Sequence, residues 1–221
     1  MNIKSTAVIV AGGSGTRMGA AIPKQFLLVN GRPILMHTLE KFQTVSERIV
    51  VLPADQIETW KTFVSEFNFT LSHHVVAGGA TRYLSVQNGL RQVSRDTEIV
   101  AVHDGVRPLV STALIHRCIS DAQRFGSAIP VITVPESVRS RSGEHSNAED
   151  RSRFLLVQTP QCFSAAYIDA AFSGPDDPSF TDDATVLEKS GVNVHLTEGE
   201  RWNIKITFPE DLRVAAALSG E

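Results

Sequence analysis

The segment AGGSGTRMGAAIPK, residues 11–24, combines closely spaced glycines with two basic side chains directly after an apolar run. Glycines let a backbone approach phosphate closely and direct N–H groups at it. Arg17 and Lys24 add two cations, which would stabilise a polyphosphate whose charge shifts while it is attacked. The candidate phosphate-binding backbone positions are Ala11, Gly12, Gly13 and Gly15.

The spacing of this loop excludes two common phosphate-binding motifs. A dinucleotide-binding fingerprint needs GxGxxG, but Gly19 stands one position too late after Gly13 and Gly15. A Walker A loop needs Gly-Lys-Ser or Gly-Lys-Thr, and the sequence has no Gly-Lys pair. The alternative is a tight turn that carries surface charges.

A second group of charged residues follows another apolar run, in EIVAVHDGVRP. Asp104 and Arg107 stand at the end of this predicted strand, as the glycine loop stands at the end of TAVIVA. In open parallel sheets, ligands bind beyond the carboxyl ends of the strands. We therefore expect both groups to form one site, in which His103 is either a base or, as we favour, a packed core residue.

Apolar runs alternate with segments of helical spacing along the chain. This alternation predicts one α/β domain over residues 1–221, with a Rossmann-like, twisted, mostly parallel sheet and helices on both faces. FLLVQTPQCF is expected in the core, and VNVHLTEG and WNIKITF as a pair of strands. Lys205 would then project away from Ile204 and Ile206. Thr207 and Glu210 have the spacing of a capping box for the last helix.

Residues 135–153 interrupt this pattern. PESVRSRSGEHSNAEDRSR is polar, charged in both signs and poor in apolar residues. It predicts either a solvated loop or hairpin, or a protruding arm that contacts a partner.

Composition limits the function classes. The 221 residues are 42% hydrophobic and 20% charged with a net charge of −3, which is typical of a globular protein and gives no global field for nucleic acid. No window approaches the roughly 18 apolar residues of a membrane span. Cys118 and Cys162 lack metal-ligand spacing, so we expect reduced thiols and a cytoplasmic protein.

Six blocks in order resemble one enzyme family. AGGSGTRM…PKQF is similar to nucleotidyltransferases that join a nucleoside triphosphate to a sugar or polyol phosphate. With GGATRYLSVQNGL, VHDGVRP, LVQTPQCF, FTDDATVLEKSG and NIKITFPEDL, the chain resembles the 2-C-methyl-D-erythritol 4-phosphate cytidylyltransferases over residues 6–216. The resemblance implies cytidylyl transfer from CTP with Mg²⁺ and release of pyrophosphate.

The resemblance also implies a role for individual residues. Arg17 and Lys24 match the family's catalytic pair, and Gly79, Ala80 and Ser85 match the positions that recognise cytosine. Asp104 and Arg107 would face the methylerythritol, and Asp104 is a possible ligand of Mg²⁺. Thr159 and Lys205 match contacts with the substrate phosphate. Arg82 is either part of the site or a structural ion-pair partner.

In this family the arm crosses to a second subunit and supplies a hydroxyl and an arginine to its site. Ser137 and Arg151 match those positions, which implies a homodimer through residues 135–153. The sequence departs from the family pattern in two places. Glu136-Ser137 replaces an Asp-Thr pair, and HDGVRP replaces HDAARP.

Two other functions fit the same motifs. A ribitol 5-phosphate cytidylyltransferase has the same fold and nearly the same blocks, so the polyol is assigned by analogy. A non-catalytic nucleotide-binding protein would not need so many charged residues in one cleft.

Overall fold

The computed structural model describes residues 3–12 and 22–219. The helices in this part of the chain are α1 (Ile34–Lys41), α2 (Ile57–Glu66), α3 (Arg82–Leu90), α4 (Thr112–Phe125), α5 (Ala165–Ala171), α6 (Asp183–Lys189) and α7 (Pro209–Leu218). The strands are β1 (Ser5–Val10), β2 (Leu28–Val29), β3 (Arg32–Pro33), β4 (Glu47–Leu52), β5 (His74–Ala77), β6 (Ile99–Asp104), β7 (Ser127–Thr133), β8 (Val138–Ser142), β9 (His145–Glu149), β10 (Leu155–Val157), β11 (Gln161–Ser164) and β12 (Leu196–Glu198).

The central sheet is mostly parallel, as the alternation of elements predicts. β5, β4, β1 and β6 are parallel neighbours in that order, and β11 pairs antiparallel with both β6 and β7. β7 also pairs with antiparallel β10 and parallel β12. The two antiparallel strands belong to one continuous stretch of chain, which returns across the sheet.

Helices cover both faces of the sheet. Side chains of β1 alternate between the faces: Ile9 packs in a cluster with α1, α2 and α4, and Val8 packs in a cluster with α3 and α6. Both side chains are fully buried, which explains why β1 is an unbroken apolar run rather than an alternating one.

The carboxyl ends of the central strands meet at one edge, as expected. Val10 at the end of β1 pairs with Asp104 at the end of β6, and the N–H of Gly105 donates to the carbonyl of Val10 at 2.8 Å. On the other side of β1, the N–H of Ala11 donates to the carbonyl of Val51 at 2.9 Å. This edge therefore carries the loops that hold the predicted site residues.

Two expectations for the last part of the chain are wrong. Residues 202–208 form no strand; the N–H of Ile206 instead donates to the carbonyl of Val106 at 2.9 Å, and the Ile206 side chain is buried in a small separate cluster. α7 does not begin with Thr207 and Glu210 as a capping box. The carboxylate of Asp211 accepts from the N–H of Phe208 at 2.8 Å instead.

The expectation that residues 154–163 return to the core holds only from Gln158 onwards. β11 is buried, whereas the apolar side chains of β10 are 41–48% exposed. Phe154, which precedes them, is exposed as well. An apolar strand at the sheet margin therefore faces outward in the single chain.

Residues 135–153 contain a hairpin. β8 and β9 pair with each other as a separate two-stranded sheet, and Gly143 in their connection has φ of 60°. Most of their side chains are exposed. The hairpin follows β7 and leads back into β10, so it stands beside the exposed apolar strand.

Within the described ranges, no helix is long and apolar enough to cross a lipid bilayer.

Candidate active site

Two adjoining cavities lie at the carboxyl edge of the sheet. The first has a volume of about 270 Å³ and the second of about 310 Å³. Both are lined by Arg82, Asp104 and Lys205, which form the wall between them. Of the other predicted residues, the first cavity takes Ala11, Gly12, Lys24, Gly79, Ala80 and Ser85, and the second takes Arg107 and Thr159.

The loop between β5 and α3 forms one side of the first cavity. Its shape depends on the Ser85 hydroxyl, which accepts from the N–H of Gly79 at 3.1 Å and donates to the carbonyl of Thr81 at 2.8 Å. Thr81 in turn caps α3 by accepting from the N–H of Leu84 at 3.2 Å. The small residues of this loop therefore pack tightly against the helix start and leave their outer side to the cavity.

Replacing Gly79 by alanine is expected to displace this loop. A Cβ atom at position 79 would lie 2.4 Å from Cβ of Leu84, a distance that side-chain rotation cannot relieve. Binding of CTP, the ligand that the family resemblance implies for this loop, is expected to weaken by about 5- to 150-fold in isothermal titration calorimetry, in line with about 1–3 kcal/mol of packing strain. Gly174→Ala is the matched control, because its Cβ would meet nothing within 4 Å. Equal affinities for the two variants would contradict this role of the loop.

Lys24 lies in a short 3-10 helix, Lys24–Phe26, at the floor of the first cavity. The residue is only 8% exposed, and its Nζ lies 3.5 Å from the carbonyl oxygen of Ile206. The ammonium is thus held near the segment that carries Lys205. The other predicted residues of the glycine loop, Gly13, Gly15 and Arg17, lie outside the described residues.

Asp104 forms the centre of the shared wall. Its Oδ2 accepts from Nε of Arg107 at 3.0 Å and lies 3.2 Å from Nζ of Lys205. Burial by itself would raise the pKa of Asp104, but the cations of Lys205, Arg107 and Arg82 outweigh it and hold this pKa well below its usual range. The carboxylate is therefore an anion at any pH at which the protein would work.

Arg107 and Lys205 both contact the carboxylate of Asp104, but they differ in burial. Arg107 is largely buried, and its Nη1 donates to the carbonyl of Asn203 at 2.8 Å. It thereby holds the segment that carries Lys205. The Lys205 side chain is 42% exposed and reaches both cavities. Arg107 is therefore placed to orient Asp104 and the segment that carries Lys205, whereas Lys205 is placed to contact a ligand.

His103 is a packed core residue, which is the interpretation that the sequence favours. It is fully buried, with its ring against Phe42, and burial lowers its pKa to about 3. Its Nδ1 lies 2.9 Å from the Thr159 hydroxyl, which accepts from the N–H of Asp104 at 3.1 Å. Because Nε2 of His103 faces the carbonyl oxygen of Arg107 at 3.4 Å, Nε2 carries the ring proton and the Thr159 hydroxyl donates to Nδ1. Thr159 thus fixes the backbone of Asp104 while it lines the second cavity.

Ser137 and Arg151 do not line either cavity of their own chain. Both are exposed, and Nη1 of Arg151 donates to the carbonyl of Pro135 at the base of the hairpin. The single chain therefore does not bring these two residues together with the other predicted site residues.

The structure adds residues that the sequence analysis did not assign to the site. Thr181 and Asp182 line the second cavity, and Asp183 forms an ion pair with Arg82. All three belong to FTDDATVLEKSG, one of the blocks that resemble the family. The spacing within this block did not show which of the three side chains faces a cavity and which pairs with Arg82. Gln158 and Asn203, which hydrogen-bond to each other at 3.3 Å beside the second cavity, belong to the blocks LVQTPQCF and NIKITFPEDL, but nothing in those blocks indicated a role in the site.

A divalent cation could be held at Asp104. No cluster of three or more metal-ligating side chains exists among residues 3–12 and 22–219. Mg²⁺ commonly needs only one or two carboxylates when substrate phosphates supply the other oxygens. Both ion-pair contacts of Asp104 among the described residues use Oδ2, which leaves Oδ1 for a metal. The residues present therefore fit a cation that is bound mainly by a ligand's phosphates.

Comparisons with known proteins identify the family of this chain. Residues 5–221 match the family model described as 2-C-methyl-D-erythritol 4-phosphate cytidylyltransferase. The curated protein of that name from Bacteroides thetaiotaomicron is 46% identical over 219 residues, which cover 98% of this chain and 100% of the relative. The one from Bacteroides fragilis is 48% identical over 216 residues, covering 96% and 98%.

Solved structures lead to the same family. The crystal structure of 2-C-methyl-D-erythritol 4-phosphate cytidylyltransferase from Thermus thermophilus matches with a TM-score of 0.81 and 36% identity over the whole of both chains. The family model, the curated relatives and the solved structure therefore agree, and this chain belongs to the 2-C-methyl-D-erythritol 4-phosphate cytidylyltransferase family.

Proposed function

We propose that this protein transfers the cytidylyl group of CTP to 2-C-methyl-D-erythritol 4-phosphate and releases pyrophosphate, a step in the non-mevalonate route to isoprenoid precursors. The observation that carries the proposal is the pair of adjoining cavities with Asp104, Lys205 and Arg82 in their common wall. Two separate substrates can each fill one cavity and meet at a charged boundary. Family membership supplies their identity.

The reaction needs no nucleophile from the protein, because the phosphate of the polyol is already an anion near neutral pH. The main obstacle is repulsion between this phosphate and the triphosphate. Fixed cations hold both together and stabilise the charge that develops on the transferred group. Lys24 and Arg17 serve the triphosphate in this proposal, and Lys205 serves the phosphate of the polyol.

The remaining predicted residues bind and orient. Gly12, Gly13, Gly15 and the backbone at Ala11 approach the triphosphate, and the loop of Gly79, Ala80 and Ser85 recognises cytosine. Asp104 accepts hydrogen bonds from polyol hydroxyls, with Arg107 and Thr159 holding it in place. Asp104 would hold Mg²⁺ together with the triphosphate, and the cation would neutralise phosphate charge.

The proposed substrate is tested by a parallel assay. CTP and Mg²⁺ are incubated with methylerythritol phosphate or with ribitol 5-phosphate, and pyrophosphate release is measured. We expect turnover with methylerythritol phosphate, the substrate named in the relatives described above. A strong preference for ribitol phosphate would overturn the substrate assignment, and no release with either would overturn the proposed activity.

We propose further that the protein is a homodimer in which the arm, residues 135–153, completes the partner's site with Ser137 and Arg151. The exposed apolar strand β10 beside the hairpin supports this, because contiguous apolar surface marks an interaction site. Both cysteines are buried and unpaired, which is compatible with the cytoplasm as the compartment.

Mixed dimers test the shared site. Lys24→Met and Arg151→Ala chains are each expected to be nearly inactive alone. After subunit exchange, a mixed dimer has one site with both Lys24 and Arg151 intact, so up to about a quarter of wild-type activity is expected to return, as independent sites and random pairing of equal amounts require. Exchange is verified by native mass spectrometry. Proven exchange without recovery would show that Arg151 serves its own chain.

A further inference from the structure

The ion pair of Arg82 and Asp183 joins two helices that begin beside the candidate site. Arg82 is the first residue of α3, and Asp183 is the first residue of α6. Nη1 and Nη2 of Arg82 donate to the two carboxylate oxygens at 2.5 and 2.7 Å. Such a bidentate pair fixes the plane of the guanidinium as well as its position.

The two helix starts do not depend on this ion pair for their caps. Thr81 accepts from the N–H of Leu84 at 3.2 Å at the start of α3, and Asp182 accepts from the N–H of Thr185 at 2.9 Å at the start of α6. Each helix start thus has a side-chain cap of its own, which does not involve the ion pair. The ion pair therefore has another consequence, which is the exact placement of a cation.

That cation lies where the two cavities meet. Arg82 lines both of them, together with Asp104 and Lys205. The Asp183 side chain is 1% exposed, whereas the Arg82 side chain is 32% exposed. Of the five N–H donors of the guanidinium, two are used by Asp183, and among the described residues no other acceptor takes the remaining three.

The charge of Arg82 is permanent. Burial alone would lower its pKa, but the carboxylates of Asp183, Asp104 and Asp182 hold this pKa well above its ordinary value. A partly buried guanidinium of this kind is less screened than a surface one, so it interacts strongly with an anion that enters either cavity.

We propose that Asp183 holds the Arg82 guanidinium at the junction of the two cavities, and that Arg82 donates to the α-phosphate oxygens of the cytidylyl group during its transfer. This inference rests on the proposed function. In the step concerned, an oxygen of the polyol phosphate bonds to the α-phosphorus of CTP. The bond from that phosphorus to the oxygen bridging to the β-phosphate breaks, and its electron pair leaves with pyrophosphate. Arg82 is thus a catalytic residue, and Asp183 is its positioning residue.

Arg82→Lys, Asp183→Asn and the double variant test this proposal. Lysine keeps the charge but cannot make the bidentate pair, so kcat is expected to fall about 10²-fold. The dissociation constant of CTP, measured without the polyol phosphate, is expected to change much less. Asp183→Asn is expected to lower kcat similarly, and the double variant to be hardly worse than either single one, because both changes disturb one unit.

The matched control is a second bidentate ion pair, whose residues line neither of the two cavities. Arg32 donates from Nη2 and Nη1 to both carboxylate oxygens of Glu40 at 2.8 and 3.2 Å. Arg32→Lys and Glu40→Gln are expected to leave kcat unchanged. An equal loss of kcat in these controls would overturn the proposal, because it would mean that loss of any such ion pair lowers kcat, wherever the pair lies.

Two further outcomes decide the inference separately from the proposed function. Wild-type kcat in a folded Arg82→Lys variant would overturn the role of Arg82, and losses that multiply in the double variant would overturn that of Asp183. Thermal unfolding of every variant shows whether it is folded; if Asp183→Asn is not, Arg82→Lys decides alone. Absence of turnover in the wild type would instead refute the proposed function.

Discussion

Lys24→Met is expected to lower kcat by about 10²–10³-fold, as loss of one preorganised donor does in other enzymes. The Lys24 ammonium lies at the floor of the first cavity with little exposure, where a charge acts on bound phosphate more strongly than in water. Methionine preserves the packing of the side-chain stem. Steady-state kinetics with CTP and methylerythritol phosphate, together with CTP titration by calorimetry, separate kcat from binding.

The expected pattern is a large loss of kcat with a much smaller loss of CTP affinity. A group that acts mainly on the transition state gives this pattern, whereas a group that binds both states equally changes KM alone. Lys61→Met is the control, because Lys61 is exposed and pairs only with Glu58 on its own helix among the described residues. An unchanged kcat for Lys24→Met would exclude a catalytic role for this lysine.

Acid is expected to destabilise the fold through His103. Burial lowers the pKa of this histidine to about 3, while an unfolded chain binds the proton near pH 6.5. Below pH 6.5 the unfolded state therefore binds a proton that the folded state excludes. The contribution of neutral His103 to the free energy of unfolding is fully present above pH 6.5 and is lost as the pH falls towards about 3. Over the whole range it amounts to about 5 kcal/mol, since each pKa unit is worth about 1.4 kcal/mol.

Urea denaturation at several pH values between 4.5 and 7.5 measures this effect. As the pH is lowered, the free energy of unfolding is expected to decrease in the wild type. The decrease is expected to be less steep in His103→Gln, because glutamine has no group to protonate in this range. Some slope remains, because burial also lowers the pKa of His73. The exposed His145 on the hairpin provides the control His145→Gln. Equal slopes for His103→Gln and the wild type would contradict a neutral His103 in the folded state.

The layout of the central sheet could be predicted from the apolar runs alone. The runs AVI in β1 and IVAV in β6 are buried on both faces, since only a strand between helical layers tolerates such continuity. The charged motifs that follow these runs had to meet, because the ends of neighbouring parallel strands lie at one edge. Lys24 and Asp104 could therefore be assigned to one site from the strand ends alone, whereas the loop of Gly79, Ala80 and Ser85 was assigned to it only through the family resemblance.

Tertiary structure decided which charges pair and which surfaces stay open. The partner of Arg82 is 101 residues away, and this pairing depends on how α3 and α6 pack against the same sheet face. Lys205 reaches the site from an irregular segment, because the N–H of Ile206 bonds to Val106 rather than to a strand. The apolar sequence of β10 predicts a buried strand, but its side chains are exposed in the single chain. An apolar run has the same sequence pattern whether its own chain covers it or it lies at the surface.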